Sequence, residues 1–155
     1  MAPKTYELNF EPALRCAVNK SILDAPGIYC VYACKPEQND PEQKMTDCVI
    51  DRLLFIGTAN DMRAEITNKL ENENDWQTEL GPGEDLCFSQ AFITDIASPV
   101  TDPGDRKRAA AALIYRHQPL LNTEHRDGFA FDKTTIEASG IALYPPETFT
   151  VETTT

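Results

Sequence analysis

The chain has 155 residues, of which 41% are hydrophobic, and a formal net charge of −11. That length suits a single domain, and the apolar fraction is enough for a core, which excludes a wholly disordered chain. No apolar run approaches bilayer length and the first residues lack a signal-peptide apolar region, so a cytoplasmic protein without a membrane partner is expected; the negative charge argues against a broad phosphate-binding surface.

Tyr6 to Phe10 alternates as a short strand, and Glu11 to Ile22 reads as a helix with Ala13, Leu14, Ala17 and Val18 on one stripe. Asp24-Ala25-Pro26-Gly27 breaks that helix. Gly27 to Cys34 reads as a strand with Ile28, Cys30 and Tyr32 on one face and Tyr29, Val31 and Ala33 on the other. Lys35 to Asp47 is polar, contains Pro36, Pro41 and Asn39-Asp40, and reads as a long loop or hairpin arm. Val49 to Ile56 is a second strand, antiparallel to the first, because its apolar run Leu53–Ile56 is too short for a helix. Gly57 permits a tight turn, and Asn60 or Asp61 caps a helix reaching about Leu70, with Met62, Ile66 and Leu70 on one face.

Glu71 to Asp85 reads as an acidic loop punctuated by Gly81-Pro82-Gly83, and no Lys or Arg occurs between Lys69 and Arg106. Such an interval is a solvated face or a surface for a basic protein. Leu86 to Ile96 is a third strand, followed by a loop over Ser98–Gly104. Asp102 or Asp105 caps a second helix, which ends near His117 because the residue before Pro119 leaves the helical region. Thr123 to Asp132 is turn-like, Ile136 to Tyr144 reads as a further strand or short helix, and the Thr-rich tail is expected to fray. The five cysteines, Cys16, Cys30, Cys34, Cys48 and Cys87, are odd in number and lack a C-x-x-C pair, which favours reduced, partly buried thiols over a disulfide framework or a zinc site.

Gly27-Ile28-Tyr29, Phe55-Ile56-Gly57, and Leu113-Ile114 with Pro119 and Asn122 occur in an order that resembles the GIY-YIG nuclease superfamily. The resemblance spans about residues 26–122 of a single 1–155 domain. It implies an α/β (α+β) fold, a small three-stranded antiparallel sheet flanked by helices. It also implies a phosphodiesterase constellation: a tyrosine that activates water, an arginine on the first helix that stabilises phosphate charge, and a glutamate on the second helix that holds a divalent metal.

Tyr29 matches the first role, and Asn122 matches the motif's last position. Phe55 replaces the second tripeptide's tyrosine. The arginine falls eight residues after Gly57, at Glu65, a reversed charge; Arg63 lies two positions earlier, roughly 200° around the helix. The glutamate falls three residues before Leu113 and twelve before Asn122, at Ala110, which has no ligand oxygen. His117, alone near a helix end, reads as structural.

Two of the three charged roles are thus replaced, so the leading expectation is a catalytically degenerate protein that binds a partner without a cofactor. A basic protein is the favoured partner; nucleic acid held by Arg106, Lys107, Arg108 and Arg116 is the other. The alternative is a divergent endonuclease using Mg²⁺ or Mn²⁺, with Tyr29, Arg63, Asn122 and a relocated carboxylate at Glu65, Asp105 or Glu124. A third reading is an acidic interaction domain unrelated to that superfamily.

Overall fold

The computed structural model of the chain describes residues 2–10, 14–15, 24–36, 48–72, 75–95, 103–139 and 147–154. These contain strands β1 (Lys4–Phe10), β2 (Leu14–Arg15), β3 (Gly27–Pro36), β4 (Cys48–Ala59), β5 (Asp85–Asp95), β6 (Thr134–Ser139) and β7 (Glu147–Val151), and helices α1 (Met62–Asn72), α2 (Asp75–Thr78) and α3 (Pro103–His117).

The strands occupy six positions in one sheet, β4-β3-β5-β1-β6-β7, with the two-residue β2 beside β5. β3 lies between β4 and β5 in antiparallel ladders, β1 is antiparallel to β5 and parallel to β6, and β7 closes on β6 antiparallel. This corrects the expected small three-stranded antiparallel sheet flanked by helices. β3, β4 and β5 form and are antiparallel, but they are half of a mixed sheet that curls as a half-barrel. The rest depends on pairing Lys4–Asn9 with Thr134–Ser139. A parallel pair needs a long crossover rather than a hairpin turn, so no local signal announces it.

The curl is set by what each face must bury. Ile28, Cys30 and Tyr32 join Tyr6, Leu8, Phe10, Ile136 and Phe149 around α3. On the opposite side Tyr29, Val31 and Ala33 pack with Met62 and Ile66 of α1 and Trp76 of α2. β3 is therefore covered on both faces. The run Ala109–Ala112 is buried in α3, where small side chains let the helix approach the sheet closely.

Local chemistry sets the helix ends. The Asp61 carboxylate accepts from the Ala64 N–H at 3.1 Å, capping α1. Gln118, before Pro119, has φ of 53° and ends α3. Asp105 is not the cap of α3 but lies in its first turn, where its Oδ1 accepts from the Tyr6 hydroxyl at 2.6 Å and the Lys4 ammonium at 2.8 Å. Asp102, the other candidate cap, lies outside the described residues.

The Thr-rich tail does not fray throughout. It forms β7, and beyond it the Thr154 N–H donates to the Phe129 carbonyl at 2.9 Å while Phe129 N–H donates to Thr154 Oγ1 at 2.7 Å. Leu14 and Arg15 are strand where a helix over Glu11–Ile22 was expected; the rest of that segment lies outside the described residues, as do 37–47 of the expected loop, Ser98–Asp102 and residues 140–144. The acidic interval contains α2 and is partly tied down: Arg52 contacts Glu84 at 2.5 Å and Glu79 at 4.0 Å. The Gly81 N–H, with Arg52 adding to it, holds the Glu84 carboxyl below the usual carboxylate range.

Cys34 and Cys87 are joined in a disulfide with Cα atoms 6.5 Å apart, which corrects the expectation of reduced thiols at these two positions. Cys87 pairs with Tyr32 across β3 and β5, so Cys34, two residues on, faces the same side. The Cys30 thiol is buried, and burial pushes its pKa up to about 12. Peptide mapping without reductant should recover the Cys34–Cys87 pair, and reduction should lower stability in urea by about 2–4 kcal/mol. Two alkylatable thiols at these positions in the folded, unreduced protein would contradict the pairing.

Candidate functional site

β4 is the outer strand on its side of the sheet, so one of its edges needs other partners. Register slips between Val31 and Tyr32: Val31 faces Phe55 and Tyr32 faces Leu53, leaving Leu54 as the extra residue of a bulge. The chain leaving α3 fills the edge there. Leu120 N–H donates to the Leu53 carbonyl at 3.3 Å and Leu121 N–H to the Leu54 carbonyl at 2.8 Å. Asn122 then completes the row with its side chain. Ile56 N–H donates to Asn122 Oδ1 and Asn122 Nδ2 donates to the Ile56 carbonyl, both at 2.9 Å. The buried amide thus stands in for a strand's peptide group.

Past Asn122 a groove opens between β4 and α3. Phe55, Ile56, Gly57 and Thr58 of β4, Lys107, Ala110 and Ile114 of α3, and Asn122, Thr123, Glu124, His125 and Phe131 enclose about 420 Å³. A second hollow of about 290 Å³ adjoins it, lined by Thr58, Ala59, Asn60, Glu65, Pro103, Arg106 and Lys107. Thr58 and Lys107 line both, so they mark the junction of one continuous trough.

The structure brings some of the expected residues to this trough and disperses others. Gly57, Ala110 and Asn122 all line it. Tyr29 lies beneath it: it faces Gly57 across the ladder, and a Cβ on Gly57 would stand 2.5 Å from the Tyr29 ring and hydroxyl. Gly57 is thus required because the ring lies across its α-carbon. Tyr29 is 0% exposed, and its hydroxyl contacts Glu65 Oε2 at 3.3 Å. Arg63 lies elsewhere, on the exposed side of α1, pairing with Asp24 at 3.0 Å.

The four candidate cations separate. Arg108 is 3% exposed, and its guanidinium donates to Thr134 Oγ1 and to the carbonyls of Ala2, Asp132 and Lys133. Arg106 is buried against the Asn60 side-chain oxygen. Arg116 pairs with Glu147 at 2.7 Å beside the Phe149 ring. Lys107 is exposed and makes no ion pair among the described residues.

Thr58, His125 and Phe131 were not singled out by sequence reasoning. His125 carries a signal only the backbone reveals, a φ of 66°, which turns the chain at the groove's rim. Among the described residues no three His, Cys, Asp or Glu side chains gather closely enough to hold a metal ion, and no helix is long and apolar enough to cross a membrane. No family model, curated protein or solved structure matches the chain.

Asn122→Ala should cost about 2–3 kcal/mol in urea unfolding, because it leaves both backbone groups of Ile56 without their partner. A loss under about 0.5 kcal/mol would mean that the amide is not a structural clamp.

His117 packs against the Phe149 ring at 5.7 Å. Burial is the largest influence and holds its pKa below the ordinary 6.5; Arg116 adds to this and Glu147 opposes it. The unfolded chain therefore takes up the proton first as pH falls below 6.5. The associated stability is present above that value and lost as pH drops through the lower folded value. In His117→Asn this step should vanish from a plot of unfolding free energy against pH; an unchanged plot would assign it to another group.

Proposed function

We propose that this chain is a binding protein without phosphodiesterase activity, and that the trough between β4 and α3 is its working surface. The observation that carries this reading is the setting of Tyr29. A tyrosine that activates water needs positive charge or a metal beside its oxygen and access to the water. Here the ring is fully buried, which keeps bulk water from its oxygen, and the hydroxyl donates to the Glu65 carboxylate, a negative group among its partners. The other matched positions support the same reading: Asn122 is bonded to the Ile56 backbone, and Ala110 presents no oxygen to the groove.

A protein partner is favoured over nucleic acid. Binding to a phosphate backbone needs a concentration of cations. Of the four on α3, Arg108 is engaged by carbonyls, Arg106 by Asn60 and Arg116 by Glu147. With a net charge of −11, a basic protein is the partner whose approach the overall field assists. One observation supports a second reading: Glu65 lines the smaller hollow with Arg106 and Lys107, a carboxylate placed among cations as a remodelled Mg²⁺- or Mn²⁺-dependent endonuclease would use.

The test is incubation with linear, nicked and branched DNA and with RNA, with Mg²⁺ and Mn²⁺ supplied separately. The parent should cleave no more than a metal-free blank does, and Ala110→Glu should stay inactive because Glu65 still occupies the arginine's place. Cleavage by the parent that disappears in Tyr29→Phe would overturn the binding role in favour of the second reading.

A further inference from the structure

We propose that the trough receives an extended strand from the partner protein, which adds to the outer edge of β4 at Thr58 and sets a carboxylate side chain over Lys107. This inference rests on the binding role above and names the chemistry of the partner. Both backbone groups of Ile56 point outward, since Asn122 bonds them there. Ile56 faces Cys30 and Thr58 faces Ile28 with no register slip between. Backbone groups of an antiparallel strand alternate in direction, so the N–H and carbonyl of Thr58 also point outward. Among the described residues nothing hydrogen-bonds them.

The edge already takes hydrogen bonds from a segment that passes along it. Residues 120 and 121 pair with Leu53 and Leu54, and Asn122 with Ile56; the row then stops where the groove begins. A peptide continuing that row meets Thr58 next, with Ile114 and Phe131 as an apolar wall for alternate side chains. Along the trough lie Glu65 and Arg106 in the smaller part, with Arg106 held by Asn60, the exposed Lys107 at the junction, and Glu124 in the larger part. A strand that carries an acidic residue at the junction and a basic residue toward Glu124 complements Lys107 and Glu124.

The test uses the full chain and a phage-displayed library of random peptides, followed by synthetic versions of the selected sequences. Selected peptides should share an acidic residue. Methylating the peptide's backbone nitrogens one at a time should weaken binding about tenfold at alternate positions, since each lost bond to the edge strands a polar group. Thr58→Pro should weaken binding similarly, and Lys107→Glu should exchange the selected acidic residue for a basic one. The methylation series uses the unaltered protein, so it decides even where Thr58→Pro does not fold. No selected peptide, indifference to methylation throughout, or an unchanged preference in Lys107→Glu would each overturn the inference. If cleavage is also absent, these failures leave the binding role standing; that role fails only through metal-dependent cleavage.

Discussion

The amide of Asn122 and the two backbone groups of Ile56 form the contact on which this side of the molecule depends. β4 is an outer strand, and an uncovered edge invites unwanted pairing. The bulge at Leu54 turns successive carbonyls outward, and the segment after Pro119 arrives to meet them. Asn122 is the last link because its amide offers one donor and one acceptor at the spacing of a peptide group. Where it stops, the edge reopens and the trough begins, so one contact both closes the sheet and fixes the start of the surface proposed to bind.

A second constraint couples this edge to the interior. The Tyr29 ring fills the space that a side chain at Gly57 would need, and it packs against Phe55 at 6.1 Å and Trp76 at 6.2 Å. Tyr29 therefore ties β3 and β4 to α1 and α2 on one face, while Ile28 and Cys30 tie the same strand to α3 on the other. A strand buried on both faces tolerates little movement. This suits a rigid platform for a strand partner better than a site that must admit water to a tyrosine oxygen.

Much of the centre was legible in the sequence. The apolar runs at Gly27–Cys34, Val49–Ile56 and Leu86–Ile96 and the Asp61 cap are local signals: β3 and β4 contain the first two, β5 contains residues 86–95 of the third, and α1 begins after the cap. β6 and β7 were harder. Apart from the buried Thr134, their Thr and Glu residues lie at the less buried positions, and composition alone gave the last segment a polar look. The half-barrel follows from β1 pairing with β6 across most of the chain's length, which no local pattern encodes. At the site, Asn122 was placed only by its match to the motif's last position; its bonds to the Ile56 backbone join residues far apart in sequence, which no local pattern announces. Arg108 was grouped with surface cations because charge says nothing of burial; its carbonyl partners come from the N-terminus and the turn before β6.

Asn122 closes the β4 edge at Ile56 and leaves it open at Thr58. Amide hydrogen exchange resolved at these two residues is the decisive measurement. Exchange should be slow at Ile56, near the rate set by global unfolding, and much faster at Thr58. Equal protection at both amides, or fast exchange at Ile56, would contradict it.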